Sequence, residues 1–254
     1  MRELIIEAIE NNQIIPYYQM IKCNATTTKK YECLARLKVK GRILTPIHFL
    51  KIAKEENLSD CITKQMVTKS FEYFYNRSCS FSINISFKDI VNDKTRAFIL
   101  TALDNFHLPQ NVIFEILEDE SIELLENDNN FFIEFITELK VRGCKIAIDD
   151  FGSGYSNFMN LLKMEVDILK IDGSMIKKIE SKNVRLVIEA IVSMAQKLNI
   201  QTVAEFVETE DIQTVVKAIG INHSQGYLYS KPSENVECFE CTKPCSAYKK
   251  YLVS

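Results

Sequence analysis

The sequence lacks three features that would each define a class of protein. Its net charge of −3 over 254 residues argues against binding to a nucleic acid polymer through a general basic surface. No apolar stretch approaches the length of a membrane span. The first residues, MRELIIEAIENNQ, alternate acidic and apolar residues at helical spacing and do not have the layout of a signal peptide. We therefore expect a cytoplasmic protein without a membrane segment.

The chain also lacks a low-complexity linker, a repeat of fixed period and a hinge rich in glycine and serine. Its 254 residues are typical of one α/β barrel, so we predict a single domain over residues 1–254. Hydrophobic residues make up 46% and charged residues 26%, an ordinary globular balance that can form a core.

Eight cysteines are present, and in a cytoplasmic chain we expect them to be reduced. Cys238, Cys241 and Cys245 have the i, i+3, i+7 spacing that packs small apolar groups on one face of a terminal helix. Pro244 argues against a long unbroken helix there. The alternative is a thiolate metal or redox site, but a fourth ligand is missing nearby, which favours packing.

Short apolar runs that alternate with segments of helical periodicity predict an α/β fold of parallel strands joined by helices. Two of the helical segments are Ser181–Leu198 and Asp211–Ile219. The predicted strands are Ile14–Met20, Tyr31–Leu37, Phe81–Ser86, Val112–Leu117, Lys145–Asp150, Val166–Ile171, Gln201–Phe206 and Gln225–Tyr229.

The connection between the first two strands breaks this pattern. It is only KCNATTTKK, about half the length that a crossover helix needs. The first two strands should therefore form an antiparallel hairpin, followed by helices at Thr45–Asn57 and Asp60–Asn76. This predicts an eight-stranded barrel with one strand reversed.

Five of the apolar runs end on a carboxylate, amide or ammonium group. An unpaired charge at the end of a buried strand is costly unless a metal, counter-ion or substrate meets it. Five such ends can lie close together if the strands run side by side and end at the same edge, as they do at the C-terminal end of a barrel. These ends are Asn84, Glu115, Asp149 with Asp150, Lys170 and Glu205.

The segment KIAIDDFGSGYSNF is the most specific of these. Adjacent residues of a strand point to opposite faces, so a bulge or turn must bring Asp149 and Asp150 to one site. Gly152 and Gly154 permit that backbone geometry. Two solvated aspartates in a turn are the alternative, but the strand before them is thoroughly apolar. Two carboxylates here suit hard cations, and one oxygen can bridge two metals.

Seven segments in order resemble the motifs of the EAL-domain family, the cyclic di-GMP phosphodiesterases. They are ECLAR, SINIS, FEILEDE, DDFGSGYS, LKID, AEFVET and QGYLYSKP. The resemblance covers about residues 13–232 and leaves a C-terminal helical tail at 233–254. It implies a modified TIM-type (β/α)8 barrel with the first strand antiparallel, in agreement with the short loop.

The resemblance also implies the site residues. Two Mg²⁺ or Mn²⁺ ions are expected, with Ca²⁺ as an inhibitor, and the expected ligands are Glu32, Asn84, Glu115, Asp149 and Asp150. Catalytic roles fall to Glu32, Lys170, Glu205 and Gln225, and Glu118 is expected to anchor the DDFGSG loop. The implied substrate-binding residues are Gln19, Leu34, Arg36, Asp172, Glu208, Tyr227 and Pro232. An oxygen-rich set without thiol or imidazole agrees with this choice of metal.

Three positions depart from the family pattern: Met20, Leu117 and Phe206. Phe206 matters most, because it stands beside Glu205 where the family has glycine. It either crowds a guanine or turns into the barrel wall.

The expected function is hydrolysis of cyclic di-GMP to linear pGpG by metal-activated water. The alternatives are a receptor that binds the dinucleotide without cutting it and a sensor built on the C-terminal cysteines. The family resemblance also suggests a homodimer formed after the DDFGSG loop, where Phe158, Leu161 and Leu162 supply apolar surface. The histidines, His48, His107 and His223, are not expected to be catalytic.

Overall fold

A computed structural model describes residues 1–118, 130–152 and 158–236 of the chain. Among these residues nine strands alternate with helices. The strands are β1 (Ile14–Cys23), β2 (Lys29–Val39), β3 (Arg42–Leu44), β4 (Ser80–Asn84), β5 (Val112–Leu117), β6 (Lys145–Phe151), β7 (Ile168–Ile171), β8 (Gln201–Ala204) and β9 (His223–Gln225).

Helices connect most of the strands and cover the outside of the sheet. The described α-helices are α1 (Arg2–Glu10), α2 (Leu50–Glu55), α3 (Ser59–Phe74), α4 (Phe87–Val91), α5 (Asp93–Asp104), α6 (Asn130–Val141), α7 (Phe158–Lys163), α8 (Gly173–Ile176), α9 (Lys182–Lys197) and α10 (Glu210–Ile219). Two 3₁₀ helices, Pro46–His48 and Pro109–Asn111, precede α2 and β5.

The strands close into a barrel with the order β1-β9-β8-β7-β6-β5-β4-β2, and pairing of β1 with β2 completes the ring. β1 runs antiparallel to both of its neighbours, while the other seven barrel strands run parallel to one another. The predicted barrel with its first strand reversed is therefore confirmed. The short β3 extends the sheet outside the ring by pairing with the end of β2.

Local sequence sets several of these boundaries. α4 begins with a capping box, in which Ser86 and Asp89 satisfy each other's backbone amides. α10 begins where the Thr209 side chain accepts a hydrogen bond from the Ile212 amide, and it ends at Gly220 with φ +87°. These signals fix where α4 and α10 begin and where α10 ends.

Among the elements that differ from the prediction are the last strand, the first predicted helix and the strand before Glu205. The last strand begins at His223 and ends at Gln225, because the chain turns directly after it: the amides of Tyr229 and Ser230 both donate to the Gly226 carbonyl at 3.1 Å. The predicted helix Thr45–Asn57 is divided into a 3₁₀ turn and α2. The predicted strand Gln201–Phe206 ends at Ala204, because Phe206 adopts a left-handed conformation with φ +51°.

The start of the predicted C-terminal tail is extended. Ser233 exchanges backbone hydrogen bonds with Tyr18 on β1, at 2.7 and 3.1 Å, so residues 233–236 lie beside the barrel and are not helical. Residues 237–254, with Cys238, Cys241 and Cys245, lie outside the described residues.

The main core fills the space between barrel and helices. Aromatic rings dominate its centre, and Phe74 of α3 stacks on Phe81 of β4 with ring centroids 4.3 Å apart. A second, smaller cluster is separate from this core. We call it the apolar layer, and its members are Ile21, Ile113, Ala147, Ile168 and Val203.

The apolar layer stands directly below the mouth of the barrel. Ile113, Ala147 and Ile168 each precede a charged residue of the same strand by two positions, and Val203 precedes Glu205, which directly follows β8. Ile21 follows Gln19 by two positions on the reversed strand. Residues two apart on a strand face the same side. The next layer toward the mouth is therefore a ring of polar side chains, which we call the polar layer: Gln19, Glu32, Asn84, Glu115, Asp149, Lys170, Glu205 and Gln225.

Candidate active site

Lys170 stands at the centre of the polar layer and contacts four carboxylates. Its Nζ lies 2.8 Å from Asp149 Oδ1, 2.9 Å from Glu115 Oε2, 3.0 Å from Glu205 Oε1 and 3.4 Å from Glu32 Oε2. These acids come from four different strands or strand ends, β6, β5, β8 and β2. The structure thus brings together side chains that are as far as 173 positions apart in sequence (32 to 205).

Amide side chains hold Glu32 from two sides. Gln225 Nε2 donates to Glu32 Oε2 at 2.6 Å, and Asn84 Nδ2 donates to Glu32 Oε1 at 3.1 Å. Gln225 Nε2 also lies 3.3 Å from Gln19 Oε1, which extends the network to the reversed strand. The two amides fix the orientation of a carboxylate that points into the mouth of the barrel.

Four carboxylates around one ammonium leave an excess of negative charge in a buried space. Burial alone would lower the pKa of Lys170, but Asp149, Glu115, Glu205 and Glu32 outweigh it and hold that pKa well above its usual range. Lys170 therefore remains a cation at neutral pH.

The acids respond differently to the same surroundings. Burial raises the pKa of Glu205 to about 8 and that of Glu115 well above its ordinary value, although Lys170 opposes both shifts. Burial, with Asp149 next to it, raises the pKa of Asp150 to about 6. The pKa of Glu32 is lowered instead, because Lys170, Gln225 and Asn84 outweigh the effect of burial. One ammonium does not balance all of these acids, so the site has room for further positive charge.

A bulge brings the two adjacent aspartates to one site. The pairing of β6 with β7 shifts register between Ile148 and Phe151, and Asp150 has φ +55°. Gly152 follows with φ +93°. Its amide donates to Glu118 Oε2 at 3.1 Å, so Glu118 holds the described start of the DDFGSG loop. Gly154 lies outside the described residues.

The carboxylates form two groups with the spacing that a metal ion needs. Oxygens of Glu32, Glu115 and Asp149 lie within 4.8 Å of one another, and so do oxygens of Asp149, Asp150 and Glu205. Asp149 belongs to both groups. All of these donors are carboxylate oxygens, the ligands that hard divalent cations prefer. The residues present therefore fit hard divalent cations.

A cleft of about 260 Å³ opens directly above this cluster. Six of the seven predicted substrate-binding residues line it together with Glu32, Asp150, Glu205 and Gln225 of the cluster. These six are Gln19, Leu34, Arg36, Glu208, Tyr227 and Pro232. The polar layer is thus reachable from outside the barrel.

Asp172, the seventh predicted substrate-binding residue, is not among the lining residues of the cleft. Its carboxylate instead caps α8, where it accepts hydrogen bonds from the amide and the hydroxyl of Ser174. An aspartate directly after a strand and before a short helix is a typical N-cap. The structure therefore places Asp172 next to the site in sequence but gives it a structural contact.

Sequence reasoning missed one residue, Ser230, that contacts a residue of the cleft. The Ser230 hydroxyl accepts a hydrogen bond from the Met20 amide at 2.9 Å. The Ser230 carbonyl accepts a hydrogen bond from Gln19 Nε2 at 3.2 Å and so orients the Gln19 side chain. Its place inside the QGYLYSKP segment was the available signal. Phe206, which the sequence singled out, does not turn into the barrel wall: it is 48% exposed and lines the cleft.

The remaining predicted residues lie away from the cleft. Leu161 is buried in the core and Leu162 is 51% exposed, so only the second is available for a contact with another chain. The side chain of Phe158 lies outside the described residues. His48 contacts Thr45, His107 packs on Tyr75, and His223 is buried below the polar layer. Within the described part of the chain, no helix has the length and apolar character needed to cross a bilayer.

Comparison with known proteins finds a matching family model and several relatives. The family model of the EAL domain matches residues 2–232. The chain is 32% identical over 232 residues to the probable cyclic di-GMP phosphodiesterase PdeA of Escherichia coli (strain K12), covering 89% of this chain and 31% of that protein. It is 33% identical over 239 residues to the cyclic di-GMP phosphodiesterase PdeA of Borreliella burgdorferi, covering 91% of this chain and 35% of that protein.

The chain thus spans about a third of the length of these curated relatives. Among solved structures, the FimX EAL domain from Pseudomonas aeruginosa bound to c-di-GMP superposes with a TM-score of 0.84. The match covers 92% of this chain and 96% of that one at 22% identity, a likeness that shows the fold. On the match to the family model over residues 2–232, the chain belongs to the EAL domain family.

Proposed function

We propose that the chain is a metal-dependent phosphodiesterase that hydrolyses cyclic di-GMP to linear pGpG. The observation that carries this proposal is the ring of four carboxylates around Lys170 at the floor of an open cleft. The names of the two relatives, both cyclic di-GMP phosphodiesterases, support the choice of substrate.

In this proposal the metal ligands are the polar-layer acids and amide named from the sequence. Glu32, Asn84, Glu115 and Asp149 hold one cation, and Asp149 with Asp150 holds the second. When bound, such a pair of cations lowers the pKa of water and neutralises charge on the phosphate oxygens. The spacing of the carboxylate oxygens supports this assignment.

The other polar residues handle the water and the proton. Lys170 is a buried cation whose three N–H donors face the four carboxylates, and it would donate to the attacking water or to a phosphate oxygen once bound cations take over contacts of those carboxylates. Glu205, with its pKa raised to about 8 by burial, can hold a proton near neutral pH. Gln225 and Glu32 share a 2.6 Å hydrogen bond, and they restrict where a water molecule can stand.

The cleft supplies the contacts for the substrate. Arg36 is half-buried, with its guanidinium carbon 5.4 Å from the centre of the Tyr17 ring, and we assign it to a phosphate. Gln19, Leu34, Glu208, Tyr227 and Pro232 form the walls against which the nucleotide lies. In this scheme Asp172 supports the site indirectly, because it caps the start of α8.

The direct test is incubation of the purified protein with cyclic di-GMP and Mg²⁺ or Mn²⁺, followed by chromatography. We expect linear pGpG with either cation, and loss of product when Ca²⁺ replaces it. Glu32→Gln keeps the shape of the side chain but removes its charge, and this variant should lose at least about 10-fold in rate. Absence of pGpG from the wild-type protein would contradict the proposal.

The second candidate is a receptor that binds cyclic di-GMP without cutting it. Phe206 favours it, because a bulky residue with φ +51° stands directly after Glu205. Tight binding without product, and product formation by Phe206→Gly, would support this alternative.

The other expectations stay proposals. They are a barrel core at about residues 13–232, a homodimer formed near Leu162 and a location in the cytoplasm. Light scattering at micromolar concentration tests the second, and a monomer would contradict it.

A further inference from the structure

Cys23 lies at the end of the barrel opposite the polar layer. It is the last residue of the reversed strand β1, and its register partner on β9 is His223. Asn24, the next residue, donates its amide to the Asn222 carbonyl at 2.9 Å. Hydrogen-bonded and open pairs alternate along antiparallel strands, so Cys23 and His223 form an open pair, whose side chains stand closest. Ile21 of the apolar layer precedes Cys23 by two positions, so this pair also faces the inside of the barrel.

The loop after Cys23 supplies hydrogen-bond donors to its sulfur. The hydroxyls of Thr26 and Thr28 and the backbone amides of Ala25 and Thr26 donate to it. Burial would raise the pKa of this thiol, but these hydrogen bonds outweigh burial and lower the pKa below its usual value. Donors that point at a sulfur favour the thiolate over the thiol, and the thiolate is the nucleophile.

Three other cysteines differ from Cys23 in this respect. Burial raises the pKa of Cys33, of Cys61 and of Cys144. Cys33 and Cys144 are buried, whereas Cys23 is partly exposed. Cys23 therefore combines access from solvent with a stabilised thiolate.

Ammonium groups lie near the sulfur. The titratable side chains on this side of Cys23 are Lys30 of β2, Lys145 of β6 and His223 of β9. The charge of Lys30 interacts with Cys23, and Lys145 acts on both Lys30 and His223. Positive charge favours an anionic sulfur and opposes a metal cation, so these lysines disfavour a metal site made by Cys23 and His223.

His223 presents an unpaired acceptor beside Cys23. Burial, with Lys30 and Lys145 nearby, lowers the pKa of His223 to about 4, so its ring is neutral at pH 7. The ring donates to the Thr202 carbonyl, and its Nδ1 has no hydrogen-bond partner among the residues that the structure describes. The side chain is only 4% exposed, so water does not readily replace that partner. A donor attached to the sulfur of Cys23 would satisfy this nitrogen.

We propose that Cys23 is a modification site at which a hydroperoxide oxidises the thiolate to a sulfenic acid. The sulfur attacks the terminal oxygen of the peroxide, the S–O bond forms and the O–O bond breaks. The sulfur is oxidised, the peroxide is reduced, and the leaving hydroxide or alkoxide takes a proton from solvent. The sulfenic hydroxyl then donates to His223 Nδ1.

A hydroperoxide suits this site because it is small enough to reach a sulfur that is only partly exposed. The inference goes beyond the proposed function, because it concerns the other end of the barrel and needs neither a dinucleotide nor a metal.

Treatment of the reduced full chain with hydrogen peroxide tests the site. Dimedone, which traps sulfenic acids, is present throughout, and mass spectrometry of the peptides locates it. We expect dimedone on Cys23 before Cys33, Cys61 or Cys144. Limiting iodoacetamide at pH 7 should alkylate Cys23 about 10-fold faster than Cys61 or more, because Cys61 is also partly exposed but holds less thiolate.

Thr26→Val keeps the shape of the side chain and removes one donor to the sulfur. Alkylation of Cys23 should slow by about 3-fold or more at pH 7, and the midpoint of its pH profile should rise. Thr27→Val is the matched control, because Thr27 is not among the donors to the sulfur, and its rate should stay within about 1.5-fold of wild type.

His223→Leu removes the acceptor but not the thiolate. Here dimedone is added only after catalase has removed the peroxide, so that its yield reports how much sulfenic acid survives. That yield should fall by about 2-fold or more, while alkylation of Cys23 stays within about 2-fold of wild type. Melting temperatures within about 5 °C of wild type show that the variants are folded.

The outcomes are independent of hydrolysis. Alkylation of Cys23 no faster than that of Cys61 would overturn the inference, whether or not the protein cleaves cyclic di-GMP. Equal slowing in Thr26→Val and Thr27→Val would overturn the role of the loop donors. Alkylation of Cys23 without any trapped sulfenic acid would overturn the oxidation step.

Discussion

Two successive layers inside one barrel differ in chemistry: all eight members of the upper layer are polar, whereas five of the eight strands contribute an apolar residue to the layer below, and the other three contribute Lys30, Ser82 and His223. The apolar layer of Ile21, Ile113, Ala147, Ile168 and Val203 and the polar layer above it come from the same strands, two residues apart. Both layers are buried apart from the exposed Asn84, and both fill the interior of the ring. A barrel needs such layers only for packing, so the apolar layer is the expected arrangement.

The proposed function therefore explains the polar layer better than stability does. Moving charges out of water costs several kcal/mol for each ion, and a buried ion pair often contributes no more than apolar residues of the same size. Four acids around one lysine are explained by their proposed role in the site at the mouth of the barrel. The apolar layer supplies the rigid floor on which these side chains are held.

The largest difference between the layers should follow from removal of Lys170. Lys170→Met leaves four buried carboxylates without their cation, and we expect a loss of about 3–5 kcal/mol in unfolding free energy in EDTA. Urea unfolding measures it, and added Mn²⁺ should restore part of the loss by supplying positive charge.

The matched control is Ile168→Met, one layer below on the same strand. This substitution conserves volume and should cost less than about 1.5 kcal/mol. Equal stability of Lys170→Met and the wild-type protein in EDTA would show that Lys170 does not balance the ring.

The second prediction concerns the apolar layer, where a substitution should affect stability and leave the site intact. Ile168→Ala removes buried methyl and methylene groups and leaves a cavity, so we expect a loss of about 2–5 kcal/mol in unfolding free energy. Hydrolysis by the folded fraction and affinity for Mn²⁺ should stay within about 3-fold of wild type, because no ligand has moved. A large loss of Mn²⁺ affinity at full folding would mean that the two layers are not separable.

The third prediction concerns His223, which pairs with Val203 and is buried at the level of the apolar layer. Burial, with Lys30 nearby, lowers the pKa of His223 to about 4. In the unfolded chain the imidazole takes up its proton near pH 6.5, before the folded protein does. Stability from this residue is therefore complete above pH 6.5 and is lost as the pH falls toward 4.

Urea unfolding at pH 7 and pH 5 measures this loss. The wild-type protein should lose about 2 kcal/mol more between these values than His223→Gln, which cannot titrate. The same pH dependence in both proteins would contradict the lowered pKa.

The smallest effect on stability should come from Asn84, the exposed member of the polar layer. Asn84→Ala should change the unfolding free energy by no more than about 0.5 kcal/mol, since the side chain is exposed. Affinity for Mn²⁺ should fall by about 10-fold, because Glu32 loses its partner and the site loses an oxygen. Asn84→Asp keeps an oxygen there and should recover most of that affinity. Unchanged affinity in Asn84→Ala would remove this residue from the ligand set.

The fold was largely accessible from the sequence because its strands are short apolar runs with polar ends. The reversed first strand followed from one loop that is too short for a helix. β3 was missed because Arg42–Leu44 is too short to show a pattern, and it forms by pairing with an existing strand. The end of β8 was missed because a phenylalanine with φ +51° gives no sign of its conformation in a sequence.

The site was accessible only in part for a related reason. Strand ends and motifs identified which residues are polar, and the barrel brings them to one mouth. The contacts of Lys170 with four acids depend on the stagger of the strands, which no single segment encodes. Asp172 shows the reverse case. It belongs to a motif, yet it caps α8 by accepting a hydrogen bond from the Ser174 amide, and a contact between residues two apart depends on the local sequence alone.

The most direct test of the central claim is anomalous diffraction from crystals grown with Mn²⁺. The account predicts two manganese peaks next to Asp149, one on the side of Glu32 and Glu115 and one on the side of Asp150. A map without manganese between these carboxylates, in which Lys170 still contacts all four acids, would contradict it.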